Sequence, residues 1–453
     1  MKESIRRDLS STQIILLGFL GVILLGSFLL WLPVSSASGK SVPYIDALFT
    51  STTSVCVTGL VTMPTVSAWS GFGQAVILVL IQVGGLGIIA FMSMVMISLH
   101  LRMGIKDRML IQDAFNLNTL SGLTGCVFRV AAGTFVVELI GALLYMTVFV
   151  PEYGARGIWI SVFTSVSAFC NAGLDIISEN SLCAYVSQPV VNITTMLLIF
   201  LGGIGYIVWW DVIRVLKNFR REGLRCFRKL TLHSKIAVWT SLILVFGGAL
   251  LFFLFEYANP LTMGGLSGSS KVLASFFQSV TTRTAGFATI SQKGLTDSSS
   301  LITLLLMFIG GSPAGTAGGV KTVTIAVLLV SAYSTIVNKE DVSLFNRTVP
   351  KEAVNKAVAV VCMSFVITLT SAVLLSAFSE GELLDALFEA VSAAATVGLS
   401  RDFTSTIGFW SKIVIIFTMY LGRVGPISLL IAFDSRKERK NAIKDPVEKI
   451  SIG

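Results

Sequence analysis

The stretch Phe49-TSTTSVCVT-Gly59 decides the fold, because the chain writes it three more times: Phe163-TSVSAFCNA-Gly173, Phe276-FQSVTTRTA-Gly286 and Phe388-EAVSAAATV-Gly398. In each copy a Phe stands ten positions before the Gly. A small residue lies five before it (Ser54, Ala168, Thr281, Ala393), and an apolar one follows it (Leu60, Leu174, Phe287, Leu399). The glycines are 114, 113 and 112 positions apart (173−59, 286−173, 398−286). Single matches arise by chance, but four copies in register at a nearly constant period mark one structural unit used four times.

Around these copies the chain is very apolar. Of 453 residues, 54% are hydrophobic and only 13% charged, which excludes an ordinary soluble protein. Apolar runs at 14–32, 72–99, 130–150, 190–210, 236–255, 301–310 continuing past a break to 332, 357–377 and 413–433 are each about long enough to span a bilayer. They form pairs, and between the members of each pair lies one Phe…Gly segment too short to cross. The reading is an all-α polytopic membrane protein. It has four repeats, each an outer helix, a short re-entrant segment ending in the Gly, and an inner helix. The repeats run 1–110, 111–230, 231–345 (with a broken inner helix and intramembrane loop) and 346–433, followed by a cytoplasmic tail at 434–453.

Charge orients it. Lys2, Arg6, Arg7, Arg102, Lys106, Arg108, Arg129, the run at 214–235, 339–356 and the tail at 436–449 fall on one side. The other side holds only Lys40, Arg156, Lys271, Lys293, Arg401 and Lys412. The basic excess marks the cytoplasm, so both termini are inside and every Phe…Gly segment enters from outside. The run RVLKNFRREGLRCFRKL (214–230) reads as this topology signal, with a nucleic-acid or lipid site as the alternative. Six cysteines (56, 126, 170, 183, 226, 362) show no metal-ligand spacing and imply no disulfide framework. The first apolar run reads as a retained span, not a cleaved signal peptide.

The third inner run departs from the pattern. Gly310, Gly311, Ser312, Pro313, Ala314, Gly315, Thr316, Ala317, Gly318 and Gly319 hold five glycines and a proline, and a continuous helix there is improbable. Non-helical backbone at that depth survives only where protein or water satisfies it. A broken helix lining a water-filled path follows. The fourth repeat reads as regular, apart from Arg423 in LGRVGP. The GGLG and GGIG runs of the first two inner helices allow close helix approach; with no strand before them they are not nucleotide loops.

This constellation suits a cation. A bare alkali ion needs a substitute for its hydration shell, and rings of backbone carbonyls supply one. Four short helices ending at one axis would aim the negative ends of their dipoles at it. The residues that would line the filter are Val55, Cys56, Val57, Thr58 and Gly59; Phe169, Cys170, Asn171, Ala172 and Gly173; Thr282, Arg283, Thr284, Ala285 and Gly286; Ala394, Ala395, Thr396, Val397 and Gly398. The residues before each Gly vary, which fits a site read by backbone, and the Gly itself allows φ > 0. Eleven acidic residues (Asp46, Glu152, Asp175, Glu179, Glu256, Asp297, Glu380, Glu382, Asp385, Glu389, Asp402) face six basic ones on the outer side. They read as a cation-concentrating mouth or as ordinary loop charge.

The four loops, GGSPAGTAGGVKT and LGRVGP together resemble the Trk/Ktr/HKT superfamily of potassium transporters, most closely the membrane subunit of the bacterial Ktr potassium-uptake system. The resemblance runs from ALFTSTTSVCVTGL through VTTRTAGF to DPVEKISIG. It implies a single-chain, channel-like potassium pore in the bacterial cell membrane, not an enzyme, with four pseudo-fourfold repeats of outer helix, short re-entrant pore helix plus filter loop, and inner helix around a central pore. It implies a homodimer surrounded by membrane lipid, regulated by a cytosolic RCK-type nucleotide-binding ring. Tail residues from Phe433 to Gly453 are suggested as dimer or ring surface. No cofactor is bound by the chain itself and no nucleic acid is a partner; potassium is the substrate, and some family members need sodium as activator. The family's filter glycines carry over to Gly59, Gly173, Gly286 and Gly398. In plant relatives that favour sodium a Ser replaces the first, so Gly59 implies potassium. A less selective potassium/sodium pathway or a sodium-coupled transporter is the alternative.

The 310–319 segment resembles the family's intramembrane loop, a mobile plug, with Ser312 and Thr316 expected to touch passing water; a packing kink between crowded helices is the alternative. Arg423 is expected to face the aqueous path and hydrogen-bond loop carbonyls, holding the plug or repelling cations below the filter, since an unpaired charge in a span is expensive; snorkelling to the inner surface is the alternative. Lys321 either snorkels to the inner surface or takes part in gating. Arg283 and Asn171 are expected to point behind the filter and brace its backbone. Cys56 and Cys170 read as packing residues. Glu138 is a functional group or the partner of a neighbouring helix. His100 and His233 read as interfacial.

Overall fold

The computed structural model describes residues 11–98, 123–339 and 341–425. The expectations for His100, for the basic residues before 11 and in 99–122, for the repeat boundary at 110 and for the tail at 434–453 lie outside them.

Long apolar runs give four outer helices, Ser11–Trp31, Leu123–Tyr153 (with Pro151 in its last turn), Leu232–Glu256 and Lys351–Phe378, each able to cross a bilayer. Leu25, Phe28, Phe135, Leu139, Ile243, Phe246, Phe365 and Val373 on them are exposed. An apolar outer surface of that extent faces lipid, because water would not tolerate it. The protein is a helical, multi-pass membrane protein.

Inside this ring stand four pore helices, Tyr44–Cys56, Ala155–Cys170, Gly268–Thr281 and Leu383–Ala394. They are rich in small and hydroxylated residues that would sit poorly in lipid, and they are buried along most of their length. Phe49, Phe163, Phe277 and Phe388 are fully buried at equivalent positions. The expected Phe276 is therefore displaced by one: it is only half-buried, against Phe246 with ring centroids 5.6 Å apart. Counted from the buried Phe, the filter Gly follows after ten residues in three repeats and after nine in the third (286−277). In three repeats a pore-helix serine two positions on donates to an outer-helix carbonyl: Ser51 to Ile23 at 2.7 Å, Ser165 to Glu138 at 2.6 Å and Ser279 to Val245 at 2.7 Å. The glycine one turn later on each outer helix (Gly26, Gly141, Gly248) leaves room for that serine, whose Oγ stands 2.4–2.5 Å from where a Cβ would lie. Close approach through small residues takes the place of a hydrophobic drive.

The inner helices correct the sequence reading. None of the four is described as one continuous span. The first runs Gly71–Leu86, turns at Gly87 (φ +84°) and resumes at Ile88–Ser98. The second, Pro189–Gly203, turns through 99° at Gly205 (φ +91°) into Tyr206–Leu216. The third is Asp297–Phe308, then the long break, then Thr322–Ile336. The fourth, Phe409–Val424, was expected to be regular but ends on Gly425 with φ +88°. GGLG and GGIG thus do two things: Gly84, Gly85, Gly202 and Gly203 admit close approach, and the last glycine of each run breaks the helix in the left-handed region that an L side chain rarely adopts. The third-repeat loop is the largest instance of a feature present in every repeat.

Candidate ion pathway

The four glycines Gly59, Gly173, Gly286 and Gly398 meet in a closed ring. A Cβ on Gly59 would stand 2.5 Å from the carbonyl oxygen of Ala172; on Gly173, 2.5 Å from that of Ala285; on Gly286, 2.6 Å from that of Val397; on Gly398, 2.1 Å from that of Thr58. Each repeat's glycine therefore carries the carbonyl of the next, and the fourth returns to the first. All four have positive φ (99°, 66°, 83° and 92°). Two constraints exclude side chains here: the backbone conformation and the main-chain oxygen against each Cα.

Two residues before each glycine the chain is left-handed again, at Val57, Asn171, Thr284 and Thr396 (φ 55°, 61°, 67° and 52°). None is glycine, and a β-branched residue held there costs about 1–3 kcal/mol. In repeats one, two and four the turn closes the pore helix by a backbone bond across it: Thr58 N to Thr53 O at 2.8 Å, Ala172 N to Ser167 O at 2.7 Å, Val397 N to Ser392 O at 2.8 Å. The third repeat, one residue shorter, closes with Ala285 N to Thr281 O at 3.0 Å instead. Pore-helix hydroxyls brace two of the filter glycines: Gly59 N donates to Thr53 Oγ1 and Gly398 N to Ser392 Oγ, both at 3.0 Å. Variable residues before the glycine concealed this shared backbone path from the sequence.

Behind the ring, Arg283 is buried and donates to Ser241 of the third outer helix, through Nη2 to Oγ at 3.0 Å and Nη1 to O at 3.4 Å. It points away from the axis, but it ties the filter segment to the outer helix and, among the described residues, makes no bond to the filter backbone. Asn171 is also buried behind the ring, yet neither side-chain atom has a hydrogen-bond partner among the described residues, so the expected brace is absent. Cys56 and Cys170 are buried free thiols. Cys170 Sγ lies 3.8 Å from Gln82 Oε1 and 3.9 Å from Glu138 Oε1, and Gln82 donates to Glu138 at 3.3 Å. Glu138 is thus the partner of the first inner helix, joining repeats one and two.

Below the ring lies the 310–319 segment, largely buried. It is laced to the second inner helix at its break: Ser312 N to Gly203 O at 2.8 Å, Thr316 N to Gly202 O at 3.1 Å and Tyr206 N to Ala314 O at 2.9 Å. Thr316 Oγ1 reaches up to the Phe169 carbonyl at 3.1 Å, at the foot of the second pore helix. Gly318 abuts the foot of the fourth, where an added Cβ would meet Thr396 Oγ1 at 1.9 Å and Ala395 O at 2.9 Å. The segment therefore crosses beneath the ring from repeat two to repeat four. Both of its hydroxyls are buried and engaged within the protein: Ser312 Oγ pairs with Thr322 Oγ1 at 2.9 Å, and Thr316 is held as above. Arg423 bridges the segment to the first inner helix, donating to Thr316 O at 2.6 Å and to Gly84 O. Lys321 does not snorkel; its Nζ folds back onto Ala317 O at 2.7 Å.

Above the ring opens a cavity of about 620 Å³ whose floor includes all four glycines. Asp175, Glu179 and Asp402 line it, and no Lys or Arg does among the described residues. Several outer-side cations are occupied elsewhere: Lys412 with Asp46 at 2.6 Å, Arg401 with Asp385 at 2.7 Å, Lys271 with the Tyr257 carbonyl at 2.7 Å. The mouth is therefore acidic, which concentrates cations over the ring. Burial pushes the Asp175 carboxyl up to about 6. The Lys412–Asp46 pair also ties the fourth inner helix to the first pore helix and closes the circle of repeats.

Comparison with known proteins agrees with this geometry. The family described as "TrkH: Cation transport protein" matches residues 7–443. The chain is similar to the potassium/sodium uptake protein NtpJ of Enterococcus hirae, with 35% identity over 459 residues, covering 100% of this chain and 99% of that one. It is similar to the Ktr system potassium uptake protein B of Bacillus subtilis, with 37% identity over 430 residues, covering 95% and 94%. Among solved structures, the potassium transporter TrkH of Vibrio parahaemolyticus superposes with a TM-score of 0.73 over 96% of this chain and 87% of that one; at 16% identity this likeness speaks to the fold.

Proposed function

The chain belongs to the TrkH family of cation transport proteins, and from that premise we propose that it is the potassium-translocating subunit of a bacterial potassium-uptake system. Ions descend from the acidic mouth through the ring formed around Gly59, Gly173, Gly286 and Gly398, where main-chain oxygens replace water. The interior-negative potential supplies about 2.3 kcal/mol per charge for each 100 mV. The single observation that carries the reading is the closed order of the ring, each glycine seated against the next repeat's carbonyl. The segment at 310–319 is the gate, held shut beneath the ring by Thr316 and Arg423, with Lys321 folded onto the segment's own Ala317 carbonyl. The protein works as a homodimer in the cell membrane with both termini cytoplasmic, and a cytosolic nucleotide-binding ring moves the gate.

The test is potassium-tracer uptake into liposomes holding the purified chain, with an interior-negative potential. Uptake that sodium competes with poorly supports the reading; no uptake, with or without the cytosolic ring, sinks it. The name of the Enterococcus relative favours a second reading, a pathway shared by potassium and sodium. Equal competition by the two ions in the same assay would select it.

A further inference from the structure

The basic run at 214–230 folds into a distinct element at the cytosolic end of the second repeat. After the 99° turn, Tyr206–Leu216 leads into the short helix Phe219–Glu222 and the 3-10 turn Gly223–Lys229. Val215, Cys226 and Leu230 form a small core that holds the turn against the helix. Depth is fixed by Asp211, which accepts from Thr231 N at 2.8 Å and Thr231 Oγ1 at 2.9 Å, at the first turn of the outer helix Leu232–Glu256. A residue level with the cytosolic end of a 25-residue span lies at the membrane surface.

At that level the element presents two kinds of side chain together. Ile213, Leu216, Phe219 and Phe227 are exposed apolar groups, while Lys217, Arg220, Arg225, Arg228 and Lys229 are exposed cations. Arg129 of the second outer helix joins them, its guanidinium 5.6 Å over the Trp210 ring. Apolar groups that enter the acyl boundary beside cations at the headgroup level make an amphipathic interfacial element. A topology signal alone needs the charges but not the exposed apolar groups between them.

We infer that this element, with Arg129, binds the phosphodiester headgroups of anionic phospholipids in the cytosolic leaflet, and that their binding sets the position of the 310–319 segment. The coupling is direct. The helix carrying the patch begins at Tyr206, whose N–H holds the Ala314 carbonyl at 2.9 Å, and Gly205 lies against Pro313 O, 2.3 Å from where its Cβ would be. Drawing the helix toward the leaflet moves the end that grips the loop. Charge complementarity chooses the occupant, because the cytosolic leaflet is the negatively charged one. The flux arm of the test rests on the transport reading above; the binding arm does not.

The full chain is purified and the phosphatidylglycerol it retains is measured by native mass spectrometry, beside a variant with Lys217→Gln, Arg220→Gln, Arg225→Gln and Arg228→Gln. These side chains are exposed, so the variant should stay folded. A second variant, Arg220→Lys, Arg225→Lys and Arg228→Lys, keeps the charge. Each neutralised cation should lower retention about fivefold, equivalent to about 1 kcal/mol per basic residue, and the charge-keeping variant should retain the lipid. Potassium uptake should differ between vesicles of phosphatidylcholine alone and with phosphatidylglycerol for the natural chain, and not for the neutralised one. Equal retention by the natural and neutralised proteins overturns the site. Uptake indifferent to lipid composition in both overturns the coupling. Unchanged retention with lost activation by a cytosolic protein reassigns the face to that partner.

Discussion

Replacing Gly286 by Ser perturbs the ring with the least ambiguity. Its φ is +83°, where a side chain costs about 1–2 kcal/mol from the backbone alone. The new Cβ would lie 2.6 Å from Val397 O, 3.1 Å from Gly173 Cα and 3.3 Å from Gly398 Cα. All three are main chain, so no rotamer change relieves them and the ring must widen by several tenths of an ångström. A loss of about 1.4 kcal/mol in the difference between the binding of the two ions is a tenfold change in an equilibrium, so with the ring widened potassium-over-sodium preference should fall about tenfold. The assay is competition between sodium and a potassium tracer for uptake into liposomes. Gly247→Ala serves as control, since its Cβ would meet nothing within 4 Å, and it should behave as the natural chain. A folded Gly286→Ser protein with unaltered preference would refute the claim that main-chain rings discriminate.

Arg423→Gln removes a guanidinium that donates to Thr316 and Gly84 carbonyls. Charged hydrogen bonds contribute about 1.5–3 kcal/mol each, so basal uptake without any cytosolic partner should rise at least tenfold. Thr316→Val deletes the bond to the Phe169 carbonyl at nearly constant volume. It should raise basal uptake about fivefold, for about 1 kcal/mol lost, with thermal unfolding little changed. Lys412→Met strands the buried Asp46 carboxylate and should lower stability by about 3–5 kcal/mol, read as an earlier thermal transition in detergent; adding Asp46→Asn should restore most of it. Asp175, raised to about 6, should lose its charge as external pH falls from 7 to 5, and uptake at low potassium should fall with a midpoint near 6. Because the folded carboxyl binds its proton more tightly than the unfolded one, this group also removes stability as pH rises from about 4 to 6. Asp175→Asn should abolish both dependences.

The positions of these groups were unequally legible. Gly59, Gly173, Gly286 and Gly398 could be read from spacing, because a backbone conformation open to glycine alone leaves its mark in composition wherever it recurs. Arg423 was legible as a charge needing partners, but not which ones: Gly84 lies 339 positions away in sequence. The left-handed residues Val57, Asn171, Thr284 and Thr396 left no mark, since tertiary packing imposes a conformation their types disfavour. The third repeat misled in a particular way. Two adjacent phenylalanines both satisfy an apolar pattern, and only packing shows that Phe277 takes the place of Phe49.

By itself the sequence determined a fourfold, membrane-embedded helical chain with four short segments ending in glycine, and a third inner run too rich in glycine and proline to remain helical. These follow from hydropathy and backbone freedom, which act on neighbours along the chain and so are written locally. Only the tertiary structure decided that every inner helix has a break or stop at Gly87, Gly205, the 309–321 stretch and Gly425, that Thr316 and Gly318 lie against the feet of two pore helices, and that Lys412 joins the last repeat to the first. Those contacts join residues from different repeats, and no periodicity along one chain encodes which distant group will fill a given hydrogen bond.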